Sequence, residues 1–257
     1  YINTEWRERS DAPRIGSRES RRAATSFHEV GMYDARPALE AGELGLDRTG
    51  FTLVRNRPVV EDFFDDAAVT RDYHPQMQAI VRELTGASRV LVYNHLVRTE
   101  NPTDFNDAYS RFVHCDYNVA RIGEMSHELL ERHGLSPQPH WRYAWYNTWQ
   151  PFDHQVQQNP LSVINAESLP LADVIDYYYT GRGRDSLVAA PVYSPEHRFY
   201  YFPLMSTEEL LVMKQMDNRQ PGRGTIYCPH TAFDDPSAPE DALPRRSIET
   251  RLMAVFE

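Results

Sequence analysis

The sequence predicts a mainly β protein with flanking helices, its core a cupin-like jelly roll of two facing sheets. Three observations carry this. Short apolar and β-branched runs recur from residue 51 to residue 256, only two stretches show helical periodicity, and the strand-helix alternation of a parallel α/β protein is missing. His and Asp residues suited to one metal also stand on runs more than a hundred residues apart, as they do when a site lies between two sheets.

The 257 residues fit one domain, residues 1–257, with 1–50 as an N-terminal extension wrapping the core and 90–257 as the core itself. The extension is polar, and Arg7, Arg9, Arg14, Arg18, Arg21 and Arg22 alternate with Glu5, Glu8, Asp11 and Glu19. Such interleaving predicts a solvated, salt-bridged arm rather than a binding patch. Glycines 42, 45 and 50 lead into a short strand from Phe51. His74-Pro75 opens an amphipathic helix with Met77, Ile80, Val81 and Leu84 on one side and Gly86 at its stop. Residues 90–98 form a strand by β-branched and aromatic content, and alternation sends its His95 and Arg98 to opposite faces.

The next strand carries Arg111-Phe112-Val113-His114-Cys115-Asp116. Alternation with period two puts His114 and Asp116 on one face and Cys115 on the other. A helix over 120–133 follows, ending at Gly134, with His127 and His133 as exposed helix residues. Residues 141–150 are a strand whose odd positions Trp141, Tyr143, Trp145 and Trp149 form a core wall. Residues 161–164 and 198–202 are further strands, separated by an irregular segment with Tyr177, Tyr178, Tyr179 and a Gly-Arg-Gly run too short for a phosphate loop. Residues 210–214 end in Lys214, the one lysine against 26 arginines, which raises the question of a chemical role. Residues 225–233 and 246–256 complete the sheets. The single cysteines Cys115 and Cys228 are too isolated for a structural zinc site and read as small buried hydrophobes.

Two imidazoles and a carboxylate on one face of a metal leave the opposite positions open, the arrangement of non-haem Fe(II) oxygenases. His230 in Cys228-Pro229-His230-Thr231 is the third ligand candidate beside His114 and Asp116. Downstream, Arg245, Ser247, Glu249 and Arg251 share the odd face of a β-like run, and an Arg and a hydroxyl two apart can bind one carboxylate. A net charge of −10 argues against a nucleic-acid partner. No apolar run reaches membrane-spanning length and no leader pattern is read, so the expected location is the cytoplasm, without membrane attachment and with a homodimer left open.

The runs FVHCDYN, WYNTWQP, TEELLVMKQMDN, PHTAFDDP and RRSIETRLMAVF, in this order over about residues 90–257, resemble the gibberellin-desaturase-like and cephamycin-hydroxylase-accessory-like family of Fe(II)/2-oxoglutarate oxygenases. The resemblance implies a double-stranded β-helix, Fe(II) at His114, Asp116 and His230, and the 2-oxoglutarate carboxylate at Arg245 and Ser247, with Arg251 as a second candidate. It also implies O2 as co-substrate and hydroxylation, desaturation or cyclisation of a small secondary metabolite through C–H abstraction. A 2-oxoglutarate-independent iron oxidase, a Zn or Mn hydrolase or isomerase, and a metal-binding module without redox chemistry are the rival readings. Two departures stand out: Gln150 where the family pattern has Arg, and Asn165 where it has Asp. Both changes remove charge, which predicts that these two amides touch.

Overall fold

The structure is a computed structural model and describes residues 1–99, 110–181, 183–219 and 226–257. Its elements in chain order are β1 (Arg14–Ile15), α1 (Arg18–Ala24), β2 (Met32–Asp34), α2 (Arg36–Glu40), β3 (Phe51–Arg55), α3 (Asp66–Ala68), α4 (His74–Thr85), β4 (Arg89–Arg98), α5 (Ile122–Arg132), β5 (Arg142–Pro151), β6 (Leu161–Ile164), β7 (Val174–Tyr179), β8 (Ser186–Pro191), β9 (Phe199–Tyr201), β10 (Glu209–Asp217), β11 (His230–Ala232) and β12 (Ser247–Phe256).

One wall is a five-stranded antiparallel sheet in the order β3-β10-β5-β12-β4. The other is made of two pieces, β11-β6-β9-β2 and β1-β7-β8. The pieces are joined by His114 and Cys115, which pair with His230 on β11 and Ala189 on β8. The His114 amide donates to His230 O (3.2 Å), the His230 amide to His114 O (3.0 Å), and the Cys115 amide to Ala189 O (2.8 Å). The ligand-bearing segment is therefore a two-residue rung between sheet pieces and not the strand expected from its pattern. The jelly roll itself is as expected.

The alternation of β5 explains how the wall is covered. Its even residues Ala144 and Tyr146 pack outward with Val212 and Leu252 under α4, which offers Met77 and Val81. Leu84, expected on that buried side, is 38% exposed. Gly86 ends α4 at φ 67, a left-handed turn that a Cβ disfavours. The odd residues point inward: Tyr143 and Trp145 pack against Leu129 and Leu130 of α5, and Trp149 against Phe51, Val163 and Phe202 from both walls. Trp145 is fully buried, and its Nε1 donates to Ser126 Oγ at 3.0 Å, which satisfies the indole that burial would otherwise strand. A turn of 3-10 helix at Val119–Arg121 precedes α5, so the helix begins later than its sequence pattern indicates.

Residues 174–191, expected to be irregular around the three tyrosines, form the β7–β8 hairpin. Its turn carries Gly183 at φ 72, whereas Arg182 lies outside the described residues. Of the run expected over 225–233, β11 covers only His230–Ala232, and Thr225 lies outside the described residues. Among the described residues no helix is long and apolar enough to cross a membrane.

Candidate metal centre and adjoining cavity

His114 and His230 are direct cross-strand partners, and such pairs bring their Cβ atoms to about 5 Å. Their rings stand 4.7 Å apart, and Asp116, two residues past His114, turns back toward both. His114 Nε2 lies 3.6 Å from Asp116 Oδ1 and His230 Nε2 lies 3.9 Å from Asp116 Oδ2. One ligand atom from each residue falls within 4.8 Å of the others. His114 Nδ1 is 2.7 Å from Phe112 O, which makes it the N–H bearing nitrogen and leaves Nε2 with its lone pair toward the cluster.

Asp116 is held at both carboxylate oxygens and at its own backbone amide. Asn147 donates to Oδ2, Arg251 Nη2 donates to Oδ1 at 3.0 Å, and its amide donates to Gln215 Oε1 at 3.3 Å. Arg251 is itself fixed by Nε donating to Glu249 Oε1 at 2.7 Å. Burial pushes the Asp116 carboxyl up, but Arg251 and the two imidazoles outweigh it and hold the group well below the usual carboxylate range. Burial lowers His230 against the pull of Asp116. A carboxylate beside two imidazole nitrogens is the donor set a divalent transition metal takes. The residues therefore fit Fe(II).

Arg245 is not on β12, as expected, but in the segment leading into it, 2% exposed. Its Nη1 donates to Asn159 O at 2.6 Å and its guanidinium lies 5.4 Å from the Trp149 ring. Ser247 Oγ is buried and has no hydrogen-bond partner among the described residues. Arg245 and Ser247 thus stand inside the sandwich, whereas Arg251 is committed to Asp116 and Glu249. A cavity of about 580 Å³ opens beside the cluster and is lined by His114, Asp116 and Arg251, with Phe112, Tyr117 and Tyr177 as aromatic wall.

Several sequence expectations are not met here. Gln150 and Asn165 do not touch. Gln150 is buried among Asn56, Tyr73 and Thr207, whereas the Asn165 side chain accepts from the Glu167 amide at the start of a 3-10 turn. They lie on different walls, so the paired loss of charge reflects no contact. Lys214 is buried and ion-paired to Asp47 and Asp217, away from the cluster. Alternation along β10 sends the next residue, Gln215, inward instead, where its Oε1 accepts from the Asp116 amide. Of His95 and Arg98, which the sequence sends to opposite faces, Arg98 lines the cavity, whereas His95 pairs with His74 and Asp66. Cys115 and Cys228 are free and fully buried, and burial raises both thiols. Asn147 was legible as an odd residue of β5, but an amide among tryptophans gave no chemical signal.

The proteins similar to this chain set its class, the Fe(II)/2-oxoglutarate-dependent oxygenases. The solved iron and alpha-ketoglutarate-dependent endoperoxidase NvfI superposes with a TM-score of 0.78 at 26% identity, covering 89% of this chain and 86% of that one. The hydroxylase/desaturase efuI of Hormonema carpetanum is 30% identical over 95% of this chain and 89% of its own length. The Fe(II)/2-oxoglutarate-dependent dioxygenase nvfI of Aspergillus novofumigatus is 28% identical over 88% and 82%. Residues 5–256 match the family described as the oxidoreductase/YMDC permease-like domain, and the chain belongs to that family.

Proposed function

We propose that the protein oxidises a C–H bond of a small secondary metabolite, with His114, Asp116 and His230 holding Fe(II) and with Arg245 and Ser247 receiving the far carboxylate of 2-oxoglutarate. The observation that carries this is the convergence of three ligand atoms within 4.8 Å at the edge of a cavity. Bound Fe(II), with 2-oxoglutarate and O2, supplies the oxidising power for hydroxylation, desaturation or cyclisation. The chain's own groups do the rest. Phe112 O fixes the His114 tautomer, Asn147 and Arg251 orient Asp116, and the aromatic wall excludes water from the reacting carbon. Buried Ser247 Oγ, without a partner among the described residues, supports a polar guest there. Within the class, the five ordered motifs support placing the chain in the gibberellin-desaturase-like group, as one oxygenase domain.

Anaerobic titration with Fe(II) and then 2-oxoglutarate tests the reading. A visible charge-transfer band of the iron chelate is expected in the unaltered protein and none in His230→Ala, which still folds because the change removes a metal ligand and little packing. A band that persists in His230→Ala refutes the ligand set, and turnover without succinate release refutes 2-oxoglutarate use.

A further inference from the structure

The chain carries a net charge of −10, yet among the described residues eight arginines line the cavity against three carboxylates. Two of those carboxylates, Asp116 and Glu124, are paired with lining arginines Arg251 and Arg121. Arg18, Arg21 and Arg22 come from α1 and Arg184 from the β7–β8 turn. Their neighbours in the N-terminal arm behave as the interleaved charges predict, Arg7 pairing with Asp173, Arg9 with Asp11 and Arg14 with Asp185. The guanidinium groups of Arg18, Arg22 and Arg184 instead make no hydrogen bond or ion pair among the described residues. The like charges are crowded: burial, Arg18 and Arg22 together lower the Arg21 guanidinium.

Backbone geometry holds this cluster in place. A Cβ on Gly16 would collide with Thr180 Oγ1 and meet Thr180 C at 2.8 Å, so only glycine lets the chain pass this close to the end of β7. Immediately after it, Ser17 and Ser20 cap the first turn of α1 reciprocally. Cys115 pairs with β8, β8 with β7, and β7 with β1, which leads into α1. Three strand spacings put β1, which leads into α1, roughly 14 Å from the ligand segment, with the Arg184 turn between them. Tyr177 and Tyr179, on the strand between, line the cavity along the way.

We propose that the substrate is an organic anion: an apolar or aromatic skeleton long enough to cross the cavity, with a carboxylate docked on Arg18, Arg22 and Arg184 and the carbon to be oxidised at the ligand cluster. The assignment rests on the proposed function for what the cluster does, but the anion site stands on the arginines themselves. Guanidinium groups grip carboxylates in two-pronged fashion, so several of them in one wall select an acid over its ester. This anion is distinct from 2-oxoglutarate, whose proposed anchors Arg245 and Ser247 do not line the cavity.

The test compares fluorescence titrations of 1-pyrenebutyrate and its methyl ester into the full chain, loaded anaerobically with Fe(II) and saturating 2-oxoglutarate. The acid should bind about tenfold tighter than the ester, and the preference should vanish in Arg18→Gln/Arg22→Gln. Arg184→Gln, on a separate turn, should weaken the preference independently and serves if the double variant fails to fold. Equal binding of acid and ester, or a preference that survives in the folded variants, overturns the proposal. The charge-transfer band reads the proposed function separately: its absence with the acid preference intact overturns that function and leaves the anion site standing.

Discussion

Asn147 and Arg251 hold the two oxygens of Asp116, and this division of labour separates two kinds of variant. Removing Asn147 frees the carboxylate to rotate, so Asn147→Ala should weaken Fe(II) binding by about 10- to 100-fold, read by metal titration, while 2-oxoglutarate affinity at saturating iron changes little. Arg245→Ala should do the reverse, leaving iron binding near normal and raising the 2-oxoglutarate requirement by about 2–5 kcal/mol if the far carboxylate is left buried and unpaired. Arg251→Ala should follow Asn147→Ala. If it follows Arg245→Ala instead, Arg251 is the anchor. The three residues His114, Asp116 and His230 were legible because identity and spacing both spoke. Asn147 and Gln215 were not, since an amide becomes part of the site only through the neighbour it meets.

Strand β10 shows how one irregularity brings two charged residues onto one face. Alternation alone sends Lys214 outward and Gln215 inward to the Asp116 amide, and the register shift at Lys214–Met216 then turns Asp217 onto the face of Lys214, where the two pair. Lys214→Met should therefore keep kcat and cost about 1 kcal/mol of stability, because Asp217 retains Arg219 and the methionine fills the space. A large fall in kcat with an unchanged melting temperature would contradict this. The strands with clean β-branched or aromatic runs, β4, β5, β10 and β12, were readable from sequence because each carries enough side chains of one kind. The β7–β8 hairpin was not: its Tyr-rich first strand has no polar alternation, and its Gly-containing turn resembles a loop. Gln150 and Asn165 failed for a related reason, since matching charge losses say nothing about which wall each residue occupies.

At the scale of the molecule, acid sensitivity has a locatable source outside the ligand cluster. Burial and the neighbouring His95 bring the His74 imidazole down to about 4 from its usual 6.5. The unfolded chain takes up this proton at higher pH than the folded one, so the stability present above pH 6.5 is lost as pH falls from 6.5 toward 4. The full shift corresponds to about 3 kcal/mol, which solvent screening of this half-exposed pair reduces to about 1 kcal/mol. His74→Gln should flatten the melting-temperature profile over that window by about 2–4 °C. Superposable profiles for the two proteins would remove His74 as the source.

The wall that carries the ligands is not one sheet but two, laced together by the His114 and Cys115 amides and the His230 amide. Under the proposed ligand set, iron links the His114 segment to β11 through side chains, alongside the two His114–His230 bonds of the backbone. The metal is then also a fastener, and its departure is a mechanical event: the metal-free chain loosens first where the His114 segment meets β11, mid-wall, rather than fraying from a terminus. Iron scarcity would so be written into this protein as a local breach in its architecture, with lifetime as well as turnover tied to metal supply.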